Sequence, residues 1–232
     1  MRCVFRVVAL LLAVVLSSAV ITPVFAENNE LQEQQFQRDV RVRLPSGSME
    51  DAIDTVQMAK IMGPLSDGAF HPEKVLTRAD LASIIVKAFE LRERERNPEK
   101  KVVLKDVSAN HWASKDIGLV VNLGIMQGYR NGYFYPEHPV SRAEGLSVIA
   151  QAYGVYQFDD AIISAILSNY PDAQQIPAWA RKAVATSLKV GLSDVTPSGL
   201  IRPQQLMTRG ELAYILYQYL QKENPTNSNG EK

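Results

Sequence analysis

The chain has 232 residues, of which 46% are hydrophobic, and its 25 basic side chains balance 25 acidic ones. This balance argues against broad electrostatic binding of nucleic acid, which requires a basic face. The single cysteine, Cys3, lies at the start of the chain, so the remainder cannot use disulfide bonds. The length fits two small domains or one domain built from repeats.

Residues 1–26 have the features of a secretory signal peptide. Arg2 and Arg6 lead into the apolar stretch VVALLLAVVLSSAVI, and the small-residue sequence VFA ends at Ala26. We predict cleavage after Ala26, which makes this an exported protein of the cell wall, periplasm or envelope with no membrane span after cleavage. The alternative is an uncleaved N-terminal anchor, because the apolar stretch is long enough to allow one.

The segments that flank the rest of the chain are polar. Residues 27–47 are rich in Gln, Glu and Asn, and we predict a flexible spacer there. Residues 223–232 read as a disordered tail. We expect a single domain between them, over residues 48–222.

An internal repeat is the strongest pattern in this region. A shift of 64 residues places Gly132, Phe134, Pro136, Arg142 and Ala143 on Gly68, Phe70, Pro72, Arg78 and Ala79. A shift of 67 residues in the other direction needs no gap and places Trp112, Ala113, Lys115, Gly124, Gly132, Pro136, Arg142 and Glu144 on Trp179, Ala180, Lys182, Gly191, Gly199, Pro203, Arg209 and Glu211. The domain therefore contains three copies of one unit, at about residues 48–92, 104–154 and 170–221.

Each copy is predicted to fold as helix, tight turn, helix. In the second copy, Ile117, Val120 and Val121 recur at helical spacing and Gly124 suits a left-handed C-cap. Asn131-Gly132 then predicts a two-residue hairpin turn, with a positive φ at the glycine. The first and third copies have Asp67-Gly68 and Ser198-Gly199 at this place.

The second helix of each copy begins with a capping-box pattern, such as Ser141 followed by Glu144. An apolar stripe follows it in each copy: Ala82, Ile85, Val86 and Phe89; Leu146, Ile149, Ala150 and Tyr153; Ala213, Leu216, Tyr217 and Leu220. A unit this small cannot bury its stripe alone, so the copies must pack together as one mainly α domain. The stretch DDAIISAIL predicts a further short helix, started by an Asp cap and packed between the second and third copies.

The motifs of the second copy, in their order, resemble the S-layer homology family. They are Asp106, Trp112-Ala113, Gly128-Tyr129, Gly132, Phe134, Pro136 and Ser141 to Glu144. The third copy lacks the Gly-Tyr pair, and Ser48 replaces the tryptophan in the first, which makes that copy's first helix degenerate. The resemblance implies a pseudo-trimer of three repeats. It also implies grooves between neighbours that hold a peptidoglycan-linked secondary cell-wall polysaccharide, often ending in a pyruvylated sugar.

Arg78, Arg142 and Arg209 need an explanation beyond capping. Each occupies the first helical position, where a cation faces the positive end of the helix dipole at a cost of about 0.3–1 kcal/mol. The resemblance implies a ketal carboxylate as their partner, held by two parallel N–H bonds and by free N–H groups of the neighbouring helix N-terminus. The alternative is that each arginine pairs with an acidic residue of the adjacent repeat.

Two further residues are candidates for ligand binding. Gly128 either lets a ligand approach the backbone or serves the turn. Trp112, like Trp179, either stacks on a sugar face or anchors the core. Because each tryptophan opens an amphipathic helix, we expect core anchoring.

No pattern for catalysis or for a cofactor is visible in the sequence. His71, His111 and His138 lack the spacing of metal ligands. Asp159 and Asp160 are adjacent, which suits capping better than glycoside hydrolysis. We therefore predict a non-catalytic envelope protein, with no cofactor, that attaches itself or a partner to the wall. The alternative is an envelope scaffold or assembly protein whose repeats bind another protein.

Overall fold

A computed structural model describes residues 48–94, 102–154 and 158–223 of the chain. The predicted signal peptide, the predicted spacer and residues 224–232 of the predicted tail lie outside the described residues. Within these described residues, seven α-helices are present: α1 Met49–Met58, α2 Arg78–Ala88, α3 Ser114–Asn122, α4 Arg142–Tyr153, α5 Asp160–Leu167, α6 Arg181–Val190 and α7 Arg209–Glu223. Short 3₁₀ turns cover Leu91–Arg94, Ala173–Gln175 and Ala178–Ala180.

The predicted capping boxes are present. Ser141 Oγ accepts from the Glu144 amide at 3.3 Å, and Glu144 Oε2 accepts from the Ser141 amide at 2.8 Å. Such boxes satisfy two amides that a helix start otherwise leaves unpaired. Ser48 forms the same arrangement with Asp51 at the start of α1. The first helix of the first copy is therefore well formed, and its missing tryptophan does not disrupt it.

The turn of each repeat is a three-residue loop rather than the predicted two-residue hairpin turn. The Gly132 amide donates to the carbonyl of Tyr129 at 2.9 Å, and the Tyr129 amide donates to that of Tyr133 at 2.7 Å. Only the glycine of the Asn131-Gly132 pair is left-handed, with φ +81°. This pattern is typical of a loop that closes with one left-handed residue. The positive φ predicted at Gly132 is confirmed.

Three buried residues join the repeats at the centre of the domain. The Leu76 amide donates to the Met207 carbonyl at 3.0 Å, the Met207 amide to the Val140 carbonyl at 2.8 Å, and the Val140 amide to the Leu76 carbonyl at 3.0 Å. All three side chains are at most 1% exposed. One residue from each repeat thus closes a hydrogen-bonded ring around a pseudo-threefold axis.

The helices follow the same cyclic order. The second helix of each repeat packs on the first helix of the next, so α2 contacts α3, α4 contacts α6 and α7 contacts α1. The apolar stripe of α2 is buried in this packing, with Ile85 fully enclosed and Phe89 2% exposed. The predicted mainly α fold of three packed repeats is confirmed. Within the part of the chain that the structure describes, no helix has both the length and the apolar character that crossing a bilayer requires.

Glycines allow the second helices of two repeats to approach the next repeat closely. A Cβ at Gly145 would lie 2.4 Å from Met207 Sδ, and one at Gly210 would lie 2.9 Å from Pro72 Cβ. Neither distance is tolerated without movement of the neighbour. The extra helix α5 begins as predicted, because Asp159 Oδ1 accepts from the Ile162 amide at 2.8 Å, and it packs on α6.

Candidate functional site

Arg78, Arg142 and Arg209 each occupy the first helical position, N1, and we call them the N1 arginines. Each extends from its own helix into the turn region of the next repeat. Arg78 Nε donates to the Phe134 carbonyl and Arg78 Nη2 to the Gln127 carbonyl, both at 2.8 Å. Hydrogen bonds from a charged donor to a buried carbonyl are among the stronger ones in proteins. The equivalent carbonyls belong to Ile201 and Asp194 for Arg142, and to Phe70 and Gly63 for Arg209.

The helix amides beside these arginines are also used between repeats. The Arg78 and Ala79 amides donate to the carbonyls of His138 and Pro136, both at 2.9 Å, and the Asp80 amide donates to Thr77 Oγ1. The starts of α4 and α7 are occupied in the same way. The expectation that a helix N-terminus offers free N–H groups to an anion is therefore wrong at the starts of α2, α4 and α7. Two of the three amides at each start donate to the loop of the following repeat, and the third donates to the capping side chain of its own helix.

An aspartate orients the loop that receives Arg78. Asp106 accepts from the Phe134 amide at 2.8 Å and from the Tyr135 amide at 2.6 Å. Tyr135 has φ +56° although it is not glycine, and Pro136 follows it. Such a conformation is costly and persists only where the surroundings hold it. The aspartate thus helps to hold the Phe134 carbonyl that Arg78 contacts.

We call the cavity beside Arg78 the Arg78 groove. Its volume is about 450 Å³, and it is bordered by residues of all three repeats. Those used below are Arg78, Gly128, Tyr129, Glu144, Gln151 and Trp179. The Arg78 guanidinium carbon lies 4.4 Å from the Phe134 ring centroid and 5.3 Å from that of Tyr129. Burial lowers the pKa of Arg78 from its ordinary value.

Gly128 lies on the exposed wall of this groove. A Cβ at this position would lie 3.3 Å from the Tyr133 carbonyl oxygen and 3.4 Å from Leu104 Cδ2. The backbone is therefore tightly packed on one side and faces the cavity on the other. Both sequence interpretations, a close approach to a ligand and a role in the turn, are compatible with this position.

The two tryptophans are not in the core, so that expectation is wrong. Trp112 is 63% exposed and Trp179 is 64% exposed, whereas the alanines that follow them, Ala113 and Ala180, are fully buried. The reason is that α3 and α6 begin after the indoles, which therefore lie outside the amphipathic faces of these helices. Trp179 borders the Arg78 groove, and Trp112 stacks on His111 with ring centroids 5.8 Å apart.

The surroundings of Arg142 differ from those of Arg78. Arg142 is fully buried, with Nη2 2.7 Å from Asp194 Oδ1 and Nη1 3.2 Å from Glu211 Oε1. Arg202 contacts the same two carboxylates, at 3.0 Å and 3.3 Å. Burial raises the pKa of Asp194, while Arg142 opposes this rise. Pairing with acidic residues of the adjacent repeat, the alternative for the arginines, is thus what the structure shows for Arg142.

Arg209 resembles Arg78 rather than Arg142. Its guanidinium carbon lies 4.6 Å from the Phe70 ring centroid, and burial lowers its pKa. Among the described residues, no carboxylate lies within ion-pair distance of either Arg78 or Arg209. Trp179 borders the groove of Arg78. The residue at the equivalent repeat position is Trp112 for Arg209 and Ser48 for Arg142.

Two residues of these sites are not marked as ligand contacts by any sequence pattern. Glu144 fits a capping box, yet it also borders the Arg78 groove, and Asp194 belongs to no motif. Nη2 of the three arginines donates to the carbonyls of Gln127, Asp194 and Gly63, which are equivalent positions in the repeats. Alignment of the repeats therefore marks Asp194, because it is the acidic residue of the three. The described residues contain no cluster of His, Cys, Asp and Glu that could hold a metal ion.

Comparisons with known proteins agree with this architecture. A 125 kDa surface-layer protein of Lysinibacillus sphaericus is 25% identical over 78% of this chain, which spans 15% of that protein. A cellulosome-anchoring protein of Acetivibrio thermocellus is 27% identical over 67% of the chain, which spans 34% of it. The exoglucanase XynX of Acetivibrio thermocellus is 28% identical over 75% of the chain, which spans only 16% of that enzyme.

The family assignment rests on all three repeats. The model of the S-layer homology domain matches residues 45–82, 103–144 and 169–213, which together make up more than half of the chain. Each matched segment overlaps one structural repeat and includes the N1 arginine of that repeat. The chain therefore belongs to the S-layer homology domain family.

Proposed function

We propose that this protein is a non-catalytic, exported component of the cell envelope that binds an anionic secondary cell-wall polysaccharide. It thereby attaches itself or a partner to the wall. The observation that carries the proposal is the Arg78 groove. There, a mostly buried arginine without a carboxylate partner among the described residues borders a cavity that also contains an exposed tryptophan.

The arginine supplies the charge that an acidic sugar requires. Nε and Nη2 of Arg78 are bound to carbonyls of the next repeat, and within the described residues Nη1 makes no hydrogen bond. The outer edge of the guanidinium, formed by Nη1 and Nη2, retains donors for a ligand. A pyruvyl ketal carboxylate matches this edge, since arginine can hold a carboxylate through two parallel N–H bonds.

The tryptophan and the polar groups supply contacts to a sugar ring. Trp179 presents its indole at the opening of the groove, where an apolar ring face can stack on it. Glu144 and Gln151, which also border the groove, offer acceptors and donors for hydroxyl groups. A charged group, a flat apolar surface and a few polar side chains are a typical combination for recognition of a small polar ligand.

The relatives support a location at the cell surface. One is named for the surface layer and another for anchoring of the cellulosome. This chain spans about a third or less of each, so we extend to it only the attachment that the shared repeats suggest.

Retention on purified wall sacculi tests the proposal. We expect sacculi that carry their secondary polymer to retain the protein, and sacculi stripped of the polymer to lose it. Trp179→Ala should weaken retention at least severalfold while the melting temperature stays unchanged, because the indole is exposed. Ile162→Ala, a change at a partly exposed residue of α5, is the matched control and should bind like wild type. Equal retention on stripped sacculi would contradict the proposal and favour a protein ligand.

A further inference from the structure

Each N1 arginine lies at the junction between its own repeat and the next. We infer that only two of these three junctions bind an anionic ligand, because the carboxylate of Asp194 permanently occupies the third. This inference rests on the proposed function and adds the number and identity of the binding sites. It assigns binding to the junctions of Arg78 and Arg209 and makes Asp194 the residue that closes the junction of Arg142.

The three junctions can be compared at one equivalent backbone position. Gln127, Asp194 and Gly63 each accept a hydrogen bond from Nη2 of an N1 arginine through the carbonyl oxygen, at 2.8, 2.7 and 2.7 Å. The backbone is thus the same in all three repeats, while the side chain is an amide, a carboxylate or absent. Among these three side chains, only that of Asp194 brings a negative charge to its arginine.

Asp194 lies where a ligand carboxylate would have to bind. Its Oδ1 is 2.7 Å from Arg142 Nη2, and Glu211 Oε1 is 3.2 Å from Arg142 Nη1. The outer edge of this guanidinium therefore already faces two carboxylate groups. A third would be repelled by both at short range, where protein surroundings screen charges less than water does.

Access to Arg142 is closed as well. Arg142 is 0% exposed, whereas Arg78 and Arg209 are 8% and 6% exposed. Arg202, which stands where the other repeats have Tyr135 and His71, completes the enclosure by contacting both Asp194 and Glu211. At this junction Ser48 also replaces the exposed tryptophan of the other two. Charge, access and the stacking surface thus distinguish it from the other junctions.

The number of binding sites provides the test. The probe is a synthetic monosaccharide glycoside that carries a pyruvyl ketal, and its methyl ester is the uncharged control. Titration calorimetry at high protein concentration should give two sites per wild-type chain for the acid and none for the ester.

An aspartate can be introduced at the equivalent position of the other two junctions. This test leaves the buried ion pairs of Arg142 unchanged. Gly63→Asp should remove the Arg209 site and leave one, and Gly63→Asp combined with Gln127→Asp should leave none. Gly63→Asn and Gln127→Asn are the matched neutral controls and should keep two sites. The change at Gly63 fits sterically, because an added Cβ meets no atom within 4 Å and the residue is not among those with positive φ.

The outcomes separate this inference from the proposed function. Three sites in the wild type, or an unchanged count after both aspartates are introduced, would overturn the role of Asp194 while leaving glycan binding intact. Failure of the wild type to bind the acid probe, together with its release from polymer-bearing sacculi, would instead overturn the proposed function. The transferred aspartates decide the role of Asp194, because Asp194→Gly would leave Glu211, Arg202 and Ser48 in place at this junction.

Discussion

The amide of Leu76 donates a hydrogen bond to the carbonyl of Met207 at 3.0 Å, which joins the first repeat directly to the last. Because Val140 completes the ring, no pair of repeats contains all of its central hydrogen bonds. The packing of α7 on α1 closes the cycle at the surface in the same way. The three repeats therefore depend on one another for both backbone pairing and burial.

A chain that ends after Gly154 should lose cooperative folding. Such a truncation removes α7 from α1 and removes the carbonyls of Ile201 and Asp194 from Arg142. We expect the fragment to lack a sharp urea transition, measured by circular dichroism, and to show poor NMR dispersion. A soluble two-repeat fragment with a transition as steep as its size predicts would contradict this single-domain interpretation.

Arg142→Ala should lower the free energy of unfolding by about 3–5 kcal/mol, the usual range when one partner of a buried ion pair is removed. The change leaves Asp194 and Glu211 with Arg202 alone and unpairs two backbone carbonyls. Urea denaturation measures the effect. Arg130→Ala, at an exposed position in the turn of the same repeat, should stay within about 0.5 kcal/mol of wild type. If both variants were equally stable, the Arg142 cluster would not stabilise the fold.

Gly132→Ala should destabilise the protein by about 1–2 kcal/mol, the cost of a left-handed conformation for a residue with a Cβ. The added atom has room, since the nearest contact is Lys105 Cε at 3.6 Å, so the loss arises from the backbone. Gly132→Asn should recover part of it. Gly118→Ala within α3, where a Cβ meets nothing within 4 Å, should stabilise by about 0.5–1 kcal/mol. Equal effects at both glycines would show that the turn geometry is wrong.

Iodide should quench the fluorescence of both tryptophans efficiently in the folded protein. Trp112 and Trp179 are each about two-thirds exposed, so folding shields neither indole from the quencher. Trp112→Phe and Trp179→Phe give two single-tryptophan proteins in which each indole is measured alone. The quenching constant of each should change little on unfolding in urea. A large increase on unfolding would mean that the indole is buried, as the sequence alone suggested.

His71 should make the stability fall as the pH rises above 6.5, the ordinary pKa of a histidine. Its ring nitrogens lie 2.6 Å from Asp67 Oδ2 and 3.0 Å from Glu73 Oε1, and the hydrogen bonds to Asp67 and then Glu73 raise its pKa above the ordinary 6.5. The folded state therefore binds the proton more tightly than the unfolded state does. The resulting stability is fully present below 6.5 and is lost as the pH rises through the folded pKa.

Melting temperatures measured from about pH 6 to about pH 9 test this dependence. The fall across that range should be smaller in His71→Asn. Asparagine is the suitable replacement because it tolerates the φ of +53° found at this residue. A variant whose melting temperature falls as steeply as that of the wild type would assign the dependence to other groups.

Local features of the fold could be predicted because their determinants are close together in the sequence. The capping box of Ser141 and Glu144 and the left-handed Gly132 depend on residues a few positions apart. The three-repeat packing followed from apolar stripes that no single repeat can bury. The tryptophans were misplaced because their exposure depends on where α3 and α6 begin, and helix boundaries are poorly defined by sequence.

The partners of the arginines could not be predicted for a different reason. Their main acceptors are backbone carbonyls, which every residue has, so no side chain in the sequence marks Phe134 or Gln127 as a partner. Asp194 was recognisable in principle from its position in the repeat. The choice between a ligand and an internal carboxylate for Arg142 required the distances of the folded protein.

The contact between α1 and α7 also determines how the domain responds to tension. These helices begin and end the described domain, and they pack directly on each other. A pulling force applied between residues 48 and 223 therefore acts first on this helix pair, while the other two helix pairs lie outside the shortest path of the load. Its rupture opens the ring and exposes the remaining repeats to stepwise unfolding. Mechanical resistance along this direction is thus set by one helix pair rather than by the whole core.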